Sequence, residues 1–278
     1  MRQWRLRAAV AACACAGIAS AQESMYTNAA TMPSPGTLVL REQVHFFRYG
    51  TNYATGAERT DVYEAATGVQ YGLVRDWSLM VDVPVQVKEE VFEASEDEWS
   101  SGIEEVDATL KWRFFKDDSG GINTFRVALL GGVRVATGDD YDFSSVSVNP
   151  GVGGVATLVR GRHGFNQELL YRFNTGGDAA DNLGGEGPSD ALYYNTSYVF
   201  RVYPERFSSE TVGAWYLTLE LNWLYETNGD NEIRWSPGLM YEGRTWGLEF
   251  MGQFPLLEDV HHRPELDFAV GAGLRFFF

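Results

Sequence analysis

Cysteine is missing from this chain beyond residue 15; Cys13 and Cys15 are the two it has. Both fall in a segment that reads as a removable leader, so the mature protein is expected to hold no disulfide and no thiolate metal site. Its stability must then come from burial or from closed strand pairing. Long apolar runs are missing as well. No stretch of 18 apolar residues occurs, which excludes helices that span a membrane. Basic residues are scarce, 22 Lys and Arg against 38 Asp and Glu, for a net charge of -16. Nucleic acid is therefore excluded as a partner, because neutralising phosphate needs basic patches. The one glycine cluster that invites a nucleotide reading, Gly151-Val152-Gly153-Gly154, has no βαβ context, and no cofactor is implied.

What is present begins with the leader. Arg2, Arg5 and Arg7 give a positive start, Ala8 to Ile18 is a short apolar run, and Ala19-Ser20-Ala21 is a cleavage site before Gln22. That is the layout of a secretory signal peptide over residues 1–21. Val10-Ala11-Ala12-Cys13 loosely fits a lipidation box, but about five apolar residues before the cysteine fall short of the roughly 7–15 such a region needs. Removing three leader arginines takes the charge from -16 to -19. Residues 22–36 are polar, carry Pro33 and Pro35 and show no period. They are expected to form a flexible periplasmic N-terminal arm, with insertion into a lumen as a plug as the alternative.

From residue 37 to 278, period two takes over. Trp77, Leu79, Val81, Val83, Val85 and Val87 alternate with Ser78, Met80, Asp82, Pro84, Gln86 and Lys88; Trp215, Leu217, Leu219, Leu221, Trp223 and Tyr225 oppose Thr218, Glu220 and Asn222. Such alternation makes a strand with one apolar and one wet face. Twelve segments of this kind occur, the last setting Leu266, Phe268, Val270, Ala272, Leu274, Phe276 and Phe278 against Asp267 and Arg275. They are about twice the mean globular strand length but fit a tilted membrane strand of roughly 9–11 residues. Short links such as 74–76, 160–164 and 243–245 alternate strictly with longer acidic ones such as 49–59, 89–102, 137–150, 174–190 and 257–264. Aromatics gather toward the strand ends. The fold expected is all-β: a closed antiparallel transmembrane β-barrel of about twelve strands, with short periplasmic turns and long outer loops. In hydrocarbon only a helix or a closed barrel satisfies every backbone group.

Outward side chains would meet outer-membrane lipid, and inward ones would line a lumen. The charged inward positions are Glu64, Asp82, Asp107, Glu168, Glu220, Glu249 and Asp267, against Lys111, Arg113, Arg126, Arg134, Arg172, Arg201, Arg234 and Arg275. Two readings of them stand together: ion pairs that stiffen the wall, or a polar channel lining that selects a small-molecule solute. Leu274 and Phe276 on one face, with a terminal Phe278, resemble the sorting signal read by the barrel-assembly machinery of bacterial outer membranes.

Three segments carry a closer resemblance: Tyr71-Gly72-Leu73-Val74-Arg75-Asp76-Trp77-Ser78-Leu79 through Val83-Pro84-Val85; Asp107 to Arg113; and Gly131 to Asp139, where Ala136 stands in place of the usual proline before Thr-Gly-Asp. They resemble the outer-membrane transporter family assigned to the meta-pathway of phenol degradation, over about Val62 to Phe173. The resemblance implies a barrel in the cell outer membrane for passive uptake of small, hydrophobic or aromatic solutes. A closed structural or adhesive barrel with ion- or partner-binding acidic loops is the alternative. A barrel hydrolase is a second, but no serine stands at a recognisable spacing from His45, His163, His261 or His262 and no G-x-S-x-G elbow occurs, so no catalytic residues are expected. Asp139, Asp140 and Asp142, or Asp230 and Glu232, do not complete a calcium loop, and adjacent His261-His262 lack metal-site spacing, so no metal is expected.

Overall fold

A run of alternating apolar and polar residues can hide its backbone polarity in lipid only by pairing both edges, and this chain does so by closing on itself. In the computed structural model, which describes residues 23–136, 143, 145, 147–177 and 182–278, thirteen antiparallel strands form one sheet. They are β1 (Leu38–Tyr49), β2 (Arg59–Val74), β3 (Trp77–Val91), β4 (Glu98–Ile103), β5 (Val106–Ser119), β6 (Asn123–Val135), β7 (Val148–Arg160), β8 (His163–Arg172), β9 (Ala191–Tyr203), β10 (Gly213–Glu226), β11 (Asn231–Gly243), β12 (Trp246–Asp259) and β13 (Leu266–Phe277). β1 pairs with β2 on one side and with β13 on the other, from Val39 opposite Phe277 to Tyr49 opposite Leu266. Twelve strands thus close a barrel, and no helix occurs among the described residues. The expected leader (1–21) and the acidic Asp139, Asp140 and Asp142 lie outside those residues.

The thirteenth strand is an extension of the wall. β3 pairs with β5 in its first half, Trp77 opposite Trp112 to Asp82 opposite Asp107, and with β4 in its second, Val85 opposite Ile103 to Glu90 opposite Glu98. Between them the register slips by one residue, so β4 and β5 are one strand interrupted by a bulge at Glu104-Glu105. Pro84 sits opposite the break. It has no N–H to give, and its carbonyl accepts from the Glu104 amide (3.0 Å). The long loop expected at 89–102 is correspondingly shorter: only 92–97 leaves the sheet, and the hairpin on either side rises beyond the barrel rim.

The outer surface is apolar across its middle. Val44, Val152, Leu219 and Val270 are each about half exposed, as soluble proteins rarely tolerate in a continuous band. Aromatic pairs ring both ends. Trp77 stacks on Trp112 and Tyr241 packs on Trp246 at the short-turn end; Tyr194 meets Trp223 and Trp235 meets Phe254 at the loop end. Two aromatic girdles flanking an apolar band are the interfacial anchors of a membrane barrel.

Candidate functional site

Alternation within each strand sends the charged positions inward, and the lumen is built from them. Glu64, Asp82, Asp107, Lys111, Arg134, Glu168, Arg172, Glu220, Arg234, Glu249 and Arg275 come together inside the barrel. Arg113, Arg126 and Arg201 close its short-turn end: Arg113 pairs with Asp76 (2.9 Å), Arg126 with Asp118 (3.2 Å), and the Arg201 guanidinium lies 4.1 Å above the Phe207 ring. Asp267 is the exception. The β1–β13 register shifts between Arg48 and Tyr49, and Leu266 takes the inward place, 1% exposed against Tyr49, Val62 and Ala269. Asp267 therefore turns away from the lumen toward Arg48 at the outer rim. One extra residue in a strand exchanges its two faces.

Residues 22–36 carry two expectations, a flexible arm or a plug inserted into the lumen. Residues 23–32 run through the lumen and are bound there. The amide of Tyr26 and the hydroxyl of Thr27 donate to Glu220; the amide and side-chain amide of Asn28 donate to Glu168 (3.1 and 2.7 Å). Lys111 donates to the Ala29 carbonyl (2.8 Å), the Ala30 amide to Thr157 (2.8 Å), and Arg41 to the Ser24 carbonyl (3.1 Å). Ala30 and Met32 pack on Ala128, Leu130 and Val155. Small residues suit the space: a Cβ on Gly271 would lie 2.4 Å from His45 and 3.0 Å from the Met25 sulfur, so the bare glycine gives both their seats. A buried charge needs a partner or it destabilises strongly. Glu168 and Glu220 form no ion pair among the described residues; this segment donates to both, and Asn195 also donates to Glu168 (3.3 Å).

The loop end is closed by a second network that sequence periodicity does not mark. Arg263, in the link between β12 and β13, is buried and donates to Glu226 (2.6 Å) and Glu232 (3.0 Å), and Glu232 also holds Arg234 (2.5 Å). Nearby, Arg172 pairs with Asp107 (2.6 Å), and Arg134 lies within 3.8 Å of Glu105, Asp107 and Glu186. Burial pushes the Glu186 carboxyl up; Arg134 opposes that, and Glu105 and Glu64 reinforce it. At the short-turn end Glu249 is held by Arg41 (2.7 Å) and Arg275 (2.6 Å). Arg41, Glu226, Glu232 and Arg263 escape a reading by face, the first from a strand of weak phase and Arg263 from a loop.

The inserted segment leaves part of the lumen empty. One cavity of about 120 Å³ opens toward the loops, lined by Asp82, Pro84, Gln86, Lys88, Glu104, Glu105, Asp107, Arg134, Phe143 and Glu186 among others. A second of about 230 Å³ lies toward the short turns, between residues Glu23–Asn28 and a wall formed by Val39, Arg41, Gln43, Val69, Gln70, Met80 and Asp82. The second follows β1, β2 and β3, the first follows β3, β5 and β6, and Asp82 lines both.

The histidines have other partners than serine. His45 meets Glu64 (2.8 Å), His163 meets the Tyr198 hydroxyl (2.8 Å), His261 meets Asp259 (3.2 Å) and His262 meets Asp230 (2.9 Å). Among the described residues no group of His, Cys, Asp or Glu is arranged to hold a metal ion.

No protein-family model matches the chain, and no characterised protein matches it by sequence. Solved structures match it by shape. An outer-membrane channel from Pseudomonas putida F1 superposes with a TM-score of 0.58 at 10% identity, over 91% of this chain and 98% of the channel. The β-domain of the Bordetella autotransporter BrkA gives 0.50 at 10% identity, over 88% and 100%. The likeness is one of fold, the closed outer-membrane barrel, and the resemblance to the phenol meta-pathway transporters rests on its three short segments alone.

Proposed function

We propose that this chain is an outer-membrane channel that conducts small solutes passively between loop end and turn end. The observation that carries the reading is the polar lumen, with two cavities that share Asp82 in their linings, the second beside the inserted segment. A barrel built only to be rigid gains nothing from such spaces, since cavities remove packing. Enclosed polar space of this size holds water, and water carries solutes.

The solute class follows from the lining. The resemblance implies hydrophobic or aromatic cargo, and the turn-side cavity has Met25, Tyr26, Val69 and Met80 on its wall. Its volume of about 230 Å³ exceeds the roughly 150 Å³ that accommodates benzene in an engineered protein cavity. Carboxylates and guanidinium groups occupy the rest of both linings. Small polar solutes, up to a single ring, are the proposed cargo. Leu274, Phe276 and Phe278 supply the proposed contact with the assembly machinery, and the outer membrane the proposed location.

The closed-barrel reading draws on the same inserted segment, and one experiment separates the two. Purified full-length protein in planar bilayers is expected to give small conductance steps, and a variant lacking residues 23–32 larger ones. If neither opens a pore while both are folded, the barrel is structural and the channel reading falls.

A further inference from the structure

Most inward carboxylates of this barrel are spoken for; Glu242, near the short turns, forms no ion pair among the described residues either, but it lines neither of the two cavities described above. Glu249 has two arginines, Glu232 has two, Glu64 has His45 and Gln86, and Glu168 and Glu220 hold the inserted segment. Asp82 differs. Its side chain faces the lumen, its residue is exposed, and among the described residues no basic nitrogen lies within ion-pair distance of it. The cations whose fields reach it are otherwise engaged: Arg41 binds Glu249 and the Ser24 carbonyl, and Lys111 binds the Ala29 carbonyl.

Its position compounds the anomaly. Asp82 stands directly across the β3–β5 pair from Asp107, an arrangement of like charges that ordinarily destabilises a sheet. Asp107 is neutralised by Arg172 at 2.6 Å and approached by Arg134, which leaves Asp82 as the charge in excess. Space for it is made on the neighbouring strand: a Cβ on Gly68 would lie 2.6 Å from the Asp82 carboxylate. And Asp82 lines both cavities. The loop-side cavity adds to the field, since five carboxylates line it against Lys88 and Arg134.

We infer that the pathway is selective for small cations and that Asp82 is the residue that sets the selectivity. The inference rests on the channel reading proposed above and names the charge of its solute. A carboxylate without an ion-pair partner that lines both cavities of a low-dielectric passage attracts a cation and repels an anion far more strongly than it would in bulk water. Arg41 and Lys111 offset it only in part, because Arg41 is paired with Glu249 and Lys111 lies 3.8 Å from Glu23.

The test is the reversal potential of the folded full-length barrel in a potassium chloride gradient. Wild type is expected to favour potassium over chloride. Asp82→Asn is expected to lower that permeability ratio roughly five-fold or more, and Asp82→Lys to invert it. Glu205→Gln removes an equal charge at a solvent-exposed site beyond the barrel wall and is expected to leave the ratio unchanged. A conducting barrel whose ratio does not respond to Asp82→Asn overturns the inference and leaves the channel reading standing. Absence of conductance in both the full chain and the variant lacking residues 23–32 overturns the channel reading, and the inference with it.

Discussion

At the scale of single residues, the barrel interior is a set of charges that the fold must satisfy one by one. Arg263 shows how much can hang on one of them. Its guanidinium is fully buried between Glu226 and Glu232, which are fully buried too. Glu232 retains Arg234 if Arg263 is removed, but Glu226 keeps only the amide contacts of Asn182 and Gly185. Arg263→Ala is therefore expected to destabilise the barrel by about 3–5 kcal/mol, the penalty for stranding a buried partner. Arg263→Lys should recover only part, because a lysine cannot fork to two carboxylates. Loss of the heat-modifiable folded band on a thermal ramp reads both; an unshifted midpoint in Arg263→Ala would show the triad to be dispensable. None of this is visible in the sequence, where Arg263 sits in an acidic link with no period to point it inward. The inward set within strands, by contrast, is legible, because alternation fixes each face. Asp267 fails for a physical reason: a bulge beside Tyr49 reverses the faces of the last turn of pairing, and a bulge leaves no mark in a hydrophobicity pattern.

At the scale of elements, the twelve strands of the closed wall are legible in number and approximate place, the short β4 is not, and the links are less legible than the strands. Alternation continues past the lipid boundary in β3 and β4, so sequence alone ends the hairpin too late or too early. The inserted segment has no period, and its clue is indirect: a run of Ser24, Thr27, Asn28, Ala29, Ala30 and Thr31 is small and polar enough to thread a lumen whose Glu168 and Glu220 have no ion-pair partner among the described residues. The outer links also brace one another. Asp230, between β10 and β11, accepts from the amides of His261 and His262 (2.9 and 3.1 Å) and from the His262 ring, tying down the β12–β13 link. Burial pushes the Asp230 carboxyl up, but those three donors outweigh it and hold it below the ordinary 3.8. A carboxyl with a lowered folded value stabilises above its unfolded pKa and loses that contribution as pH falls through the folded one. The brace is thus expected to be complete at neutral pH and to fail below about pH 4. Limited proteolysis within residues 260–265 should appear in wild type only under acid, and in Asp230→Ala at neutral pH. Equal resistance of the two at neutral pH would count against the brace.

At the scale of the whole molecule, the outside decides where the barrel can live. Leu219 lies mid-strand in β10 with 44% of its surface exposed. An arginine there would sit at the lipid midplane, and Leu219→Arg is expected to cost roughly 2–4 kcal/mol of folding stability in bilayers, whereas a charge introduced at the girdle costs about 0–1. Urea titration in lipid vesicles measures the difference; equal midpoints would mean that this face does not contact hydrocarbon. Fold class and closure were the most legible features of all, since the even strand number and the strict alternation of short and long links leave few other solutions. Seam pairing between Leu38 and Phe278, whose amide donates to the Leu38 carbonyl at 2.9 Å, is the physical form of that closure.

The segment that occupies the lumen is joined to β1 by only a few residues, from Pro33 to Thr37. It behaves as a captive ligand whose local concentration, of order millimolar for a short tether, is written into the covalent chain. Dilution, washing and time cannot deplete it. On the proposed channel reading, a solute competes with an occupant that never diffuses away, and the affinity of this protein for part of itself sets how readily it enters.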